Sequence, residues 1–297
     1  MNPDQPAAAP QADGLRRVSF KYRSSPAALR SLTEGSVYFA SPGQLNDCLE
    51  AKFDHCGTAD YIDRMDQSIA GIAEQIGAAG GYRVPDVDLA AFQTTYERQN
   101  ALFLEGTQRV GIYSTACRPD DQSMWAYYCD NSKGFCFEVE WTDAVIREHK
   151  VAPVGITYTS ATRVHNRAEI FGSLLREEAE LHPDWMIDRL LEETRSEFFL
   201  FRFQMANICR AVSVKHEDWA HEREVRLLTP RAGPLPILRQ ILKRVYYVRS
   251  DFPEWLQVVG LLTDQYPDVE LVELQFRHTE PYVEARQISA RLVPVVE

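Results

Sequence analysis

The stretch Lys215–Leu228, KHEDWAHEREVRLL, decides the fold. Its second half, Glu222 to Leu228 (EREVRLL), reads as a strand, and residues two apart on a strand point to the same face. Glu222, Glu224 and Arg226 therefore line one side, and Arg223, Val225 and Leu227 the other. Two carboxylates and a guanidinium in one row suit a hydroxylated or cationic ligand, or a developing positive charge. They equally suit an exposed edge strand with a salt-bridge ladder. The strand also follows a long helical region, so the sheet is assembled from segments far apart in the chain.

Working outward, Ile170, Phe171, Leu174 and Leu175, then Ile187, Leu190 and Leu191, fall at spacings of three and four and predict amphipathic helices. Phe198 to Val212 is a further apolar-rich segment. Upstream, Val18 to Arg23, Val37 to Ala40, Arg109 to Ala116, Gly134 to Trp141 and Pro153 to Tyr158 read as strands. Pro26 to Glu34 reads as a helix with Ser25 as N-cap and Gly35 closing it. Asp60 to Ala79 and Val87 to Leu104 read as helices separated by a turn at Gly80-Gly81, and Gln122 to Cys129 as a short one. Downstream, Val245 to Val248 and Val269 to Phe276 add strands. The expectation is an α+β fold: one domain over 15–297, a mixed sheet, a helical insertion at about 163–212 and a disordered tail over 1–14.

Composition narrows the function classes. The 297 residues include 32 Lys+Arg and 43 Asp+Glu, a formal charge of −11, with 45% hydrophobic and 25% charged residues. These are values of a folded, soluble chain, not of a disordered or membrane-embedded one. The acidic balance argues against general nucleic-acid binding, which needs a basic face. Neither a signal peptide nor a membrane-spanning run is legible, so the expected location is the cytoplasm. The six cysteines form no Cys-x-x-Cys pair and read as buried small hydrophobes. His216 and His221 are five apart, too far round a helix for a ready metal pair, and no metal is expected.

Four segments exceed what packing requires. They are Lys21-Tyr22-Arg23, Asn46-Asp47 with Glu50, the Trp125–Gly134 run WAYYCDNSKG with Tyr128 and Lys133, and Lys215…Trp219…Glu222-x-Glu224-x-Arg226. In this order they resemble the bacterial domain of unknown function DUF2971, from Phe20 to about Leu228, which implies a bacterial cytosolic protein and no activity.

Glu222-Arg223-Glu224-Val225 also resembles the Glu-x-Glu strand of arginine-type ADP-ribosyltransferases. Those enzymes pair it with an early-strand arginine, here Arg23 beside Tyr22, and with a Ser-Thr-Ser strand, here Ser114-Thr115 with Ala116 in the third place. Trp219 matches an aromatic before the glutamates. The resemblance implies NAD as substrate, with Glu224 stabilising an oxocarbenium-like ribose and Glu222 acting on the acceptor. Arg23 would hold the diphosphate, and Ser114 would brace the site. The acceptor would be a small molecule or a protein.

The alternative is a non-catalytic module that recognises a small molecule or partner in a bacterial stress or phage response. Trp125, Tyr127 and Tyr128 would then give contact area, and Arg23, Lys133, Lys215 and Arg226 anion contacts. A metal-dependent phosphodiesterase built on Asp47, Glu50, Glu222 and Glu224 is a third option, although Glu224 stands where its usual lysine would be.

Overall fold

The computed structural model describes residues 17–47, 51–52, 54–55, 57–77, 89–160, 164–276 and 283–288. Eight strands form the main sheet: β1 (Val18–Ser24), β2 (Gly111–Ala116), β3 (Gly134–Glu140), β4 (Ala152–Gly155), β5 (Glu224–Thr229), β6 (Leu242–Tyr247), β7 (Glu270–Phe276) and β8 (Val283–Ile288). Their order across the sheet is β8-β7-β6-β3-β1-β2-β5-β4. β6 and β7 run parallel, joined by a crossover through the helix Trp255–Gln265. The other neighbouring pairs are antiparallel, so the sheet is mixed and the fold α+β.

β1 has two unlike flanks. Seven residue pairs zip it to β3, from Val18↔Glu140 to Ser24↔Gly134. A single pair, Phe20↔Ala116, joins it to β2. Register partners share a face of the sheet, so Glu138, Phe20, Ala116 and Glu224 form one row across four strands. That face carries an apolar cluster of Tyr22, Met124, Trp125, Cys129, Cys136 and Tyr246. The opposite face carries Tyr113, Phe135, Phe137, Val139 and Leu227, which bury against the helices Ser25–Glu34 and Trp255–Gln265 in the larger core. Each large apolar side chain buried there contributes about 1.5–3 kcal/mol.

The close approach of β1 and β3 depends on Gly134. A Cβ at that position would stand 2.3 Å from the Arg23 carbonyl oxygen, so only glycine fits without moving β1.

Two expectations change at element ends. Ser25 is the first residue of its helix and Ser24, extended at φ −61° and ψ 156°, is the N-cap, while the Ser25 hydroxyl donates to Glu254 at 2.9 Å. Gly35 closes that helix in the left-handed region, φ 63°, as expected. Glu222 is not on the strand. Residues Glu217–Glu222 form a 3-10 turn, started by His216 accepting the Asp218 N–H, and Arg223 leaves it in the left-handed region, φ 45°. The strand alternation begins only at Glu224.

By internal contacts the chain divides into two compact units: Met1–Gln44 with Val110–Thr159 and Lys215–Glu297, and Leu45–Arg109 with Ser160–Val214. The first holds the main sheet. The second is helical, with Thr58–Gln75, Leu89–Arg109, Arg167–Leu181, Ile187–Glu193 and Glu197–Ala211. One of its clusters joins Ile69, Ile72 and Ala73 to Leu175, Ala179, Ile187 and Leu190, with Phe171 and Leu191 packed against it, so five of the seven predicted stripe residues meet there. The expected tail over 1–14 and the Gly80-Gly81 turn lie outside the described residues. No helix among the described residues is long and apolar enough to cross a membrane.

Candidate functional site

On β5, Glu224 and Arg226 stand two apart and project to the same side. Arg226 turns back on the glutamate with both prongs: Nε donates to Oε1 at 2.7 Å and Nη2 to Oε2 at 3.0 Å. Lys215, on the short strand Val214–His216, ties the two glutamates together. Its Nζ lies 2.5 Å from Glu222 Oε2 and 3.1 Å from Glu224 Oε2. Tyr128 Oη, from the helix Gln122–Tyr128, donates to Glu222 Oε1 at 2.5 Å. The glutamates lie seven and nine residues beyond the lysine and meet it because the 3-10 turn reverses the chain between them.

β2 completes this cluster. Ser114 is the register partner of Arg226, and its hydroxyl bonds to Glu224. The backbone N–H of Glu224 donates to Tyr158 Oη at 2.8 Å. Lys215, Glu222, Glu224 and Arg226 are each no more than 6% exposed, and two cations face two carboxylates. Burial alone would raise the Glu224 carboxyl. The Arg226 guanidinium, Lys215 and the Ser114 hydroxyl overcome burial and hold it down at about 2, so Glu224 is ionised at any physiological pH.

A third cation lies alongside. Where β1 parts from β2, Lys21 Nζ donates to the Ser114 carbonyl at 2.6 Å and sits 5.1 Å from the Tyr113 ring centroid. Burial and the neighbouring Arg23 lower its pKa to about 7, against the opposing pull of Glu224 and Glu222. The Arg23 guanidinium lies 6.0 Å from the same Tyr113 ring. The Arg23 Nε and the Tyr113 hydroxyl are buried without a hydrogen-bond partner of good geometry.

The structure therefore sorts the sequence candidates. Glu224, Glu222, Ser114, Lys215, Arg226 and Tyr128 come together. Trp219 stands beside them, with Lys215 Nζ 4.7 Å from its ring centroid. Arg23 lies on a strand next to Ser114, but its alternation turns it to the Tyr113 face and not to that of Glu224.

Tyr22 and Trp125 are core residues. They meet edge to face with centroids 5.5 Å apart, Tyr22 Oη donating to the Arg118 carbonyl and Trp125 Nε1 to the Pro119 carbonyl. Lys133 follows a loop of three left-handed residues, Asp130, Asn131 and Ser132, and is half-buried. Asn46 and Asp47 belong to the second unit, and Glu50 lies outside the described residues. Lys21, marked in the sequence only as part of its triplet and given no role, and Tyr158, not marked at all, are site neighbours. The alternation of Lys21 with Arg23 was the available signal for the first, and nothing local marks the second.

Among the described residues, no group of three or more His, Cys, Asp or Glu is arranged to hold a metal ion. The two glutamates face Lys215 and Arg226. Cys129 and Cys136 are buried, and burial pushes the Cys129 thiol up to about 12, which leaves it a packing residue at neutral pH.

No curated protein and no solved structure matches the chain. One family does, and only in part. Its description is Protein of unknown function (DUF2971), and its sequence model matches residues 124–227, about a third of the chain. The matched span holds the Trp125–Gly134 run and the Lys215–Leu227 stretch, while Tyr22-Arg23 and Asn46-Asp47 lie before it. Over those residues, the chain is similar to this family.

Proposed function

We propose that the protein uses NAD as an ADP-ribosyl donor, with Glu224 as the group that stabilises the ribose cation. The observation that carries this reading is the adjacency of β1, β2 and β5. Three segments remote in sequence, bearing Arg23, Ser114 and Glu224, are consecutive strands of one sheet, and the Ser114 hydroxyl bonds to Glu224. The arginine-type enzymes that the sequence resembles combine the same three elements. A carboxylate held ionised near pKa 2 is a poor proton acceptor but a permanent negative charge, which suits a developing oxocarbenium. Glu222 is held by Lys215 and Tyr128 at the end of the 3-10 turn, where it can orient an acceptor.

The test is nicotinamide release from NAD by the purified chain, with and without candidate acceptors. Wild-type turnover is expected, and Glu224→Gln should lower it by about 10²–10³-fold. No NAD binding and no turnover in the wild type overturns the reading.

One observation favours a second reading, a binding module without catalysis. Both oxygens of Glu224 are already engaged by Arg226 and Lys215. Binding of NAD or another anion without chemical change, lost in Arg23→Ala, would select it.

A further inference from the structure

The missing ladder between β1 and β2 is bridged by a side chain. Beyond Phe20↔Ala116 the strands make no further registered pair, and the Lys21 ammonium bonds to the Ser114 carbonyl. That acceptor is a neutral amide oxygen, so the hydrogen bond leaves the lysine charge unbalanced. The groups around it are Arg23 on its own strand, Tyr113 on β2, Phe137 as its register partner on β3, Lys215, and the two glutamates. Glu222 and Glu224 are matched by Lys215 and Arg226. Lys21 and Arg23 are the surplus cations, and both lean over Tyr113, whose buried hydroxyl faces the Arg23 guanidinium.

We propose that anion binding at this site is coupled to proton uptake by Lys21: when an anionic ligand settles between β1 and β2, the Lys21 amine takes one proton from solvent. No covalent bond to the ligand forms. The proton passes from water or buffer to the amine lone pair, and the added positive charge faces the ligand. The proposal shares with the preceding reading only that the ligand is an anion. Lysine in this position is divided between its two forms near neutrality, because burial and Arg23 oppose the charge. An arriving anion favours the charged form, and by linkage the proton favours the anion equally.

Sulfate and NAD are the probes, since neither changes its own charge between pH 6 and 9. Calorimetry at pH 7.5 in buffers of different ionisation enthalpy should show uptake of about half a proton per anion bound. Wild-type affinity should fall by about tenfold from pH 6 to pH 9. Lys21→Arg should hold the low-pH affinity throughout, and Lys21→Met should be weak at both ends.

An independent readout on the unliganded wild type is the titration of ¹³C-dimethylated lysines by NMR, with the Lys21 signal identified by its loss in Lys21→Arg. A midpoint near 7 supports the proposal, and a midpoint near the ordinary lysine value overturns it. So does a pH dependence that survives in Lys21→Arg, or failure of both anions to bind. Sulfate binding with proton uptake but no NAD binding keeps this proposal and removes the dinucleotide reading. NAD turnover with no proton linkage does the reverse.

Discussion

Two carboxylate clusters share one face of the main sheet, three strands apart in the row Glu138–Phe20–Ala116–Glu224. Each glutamate has an arginine and a tyrosine close by. Glu138 accepts from Arg244 Nη1 at 3.0 Å and from Tyr246 Oη at 2.5 Å, and Arg244 reaches on to Glu270 at 2.5 Å. Glu224 accepts from Arg226 and Lys215, with Tyr128 and Tyr158 around it. Both glutamates are buried, and the difference lies in the exposure of their arginines. The Arg244 side chain is 45% exposed and that of Arg226 is 1%. At the first cluster Glu138 is itself buried, but its arginine reaches solvent, so water can enter where that arginine is removed. At the second it cannot, so each of its charges depends on the others.

The largest effect expected from breaking this contrast is at Arg226. Arg226→Ala leaves a buried carboxylate short of its two-pronged partner and should cost about 3–5 kcal/mol in denaturant unfolding. The same change at Arg244, which is half-exposed, should cost about 1 kcal/mol or less. Equal losses would mean that the two clusters are equally wet.

The next effect is in acid. The folded Glu224 carboxyl sits at about 2, below its ordinary 4.5, so the stability it contributes is complete above about pH 4.5 and is lost as pH falls towards 2. That contribution is up to about 3 kcal/mol. Unfolding free energies between pH 5 and pH 2 should therefore fall more steeply in the wild type than in Glu224→Gln.

At Lys21 the shift works against folding. Its pKa is lower in the folded chain than in the unfolded one, so the unfolded chain binds more protons between about pH 7 and pH 10.5 and stability rises with pH across that window. Lys21→Met removes a charge that folding disfavours. It should raise the melting temperature at pH 6 and change it less at pH 9. A destabilised variant at pH 6 would show that the ammonium–carbonyl contact outweighs burial.

Legibility in the sequence followed the range of the interaction. Val18–Arg23, Gly134–Trp141 and the helical stripes were readable because period-2 and period-3.6 patterns are local, and Gly35 ended its helix as a left-handed residue should. The row joining Glu224 to Glu138 was not readable, because strand pairing between distant segments leaves no local mark. Glu222 illustrates the limit within one motif. The alternation E-R-E-V-R placed it on the strand, yet Arg223 adopts a left-handed conformation that a non-glycine residue rarely takes, and this turns Glu222 out of register.

Tyr22 and Trp125 fail for a different reason. Aromatic residues beside polar ones look like a binding surface in sequence, but their polar atoms are satisfied by backbone carbonyls within the core. Lys21, followed by an aromatic and an arginine, bonds across to the Ser114 carbonyl, and only the parting of β1 from β2 makes that visible.

That parting has a mechanical side. One residue pair is a weak seam in a sheet otherwise closely laced around β1. The β8-β7-β6-β3-β1 portion and the β2-β5-β4 portion are then two plates stitched at a point, and amide exchange should find them opening as separate cooperative blocks with Phe20 as the stitch.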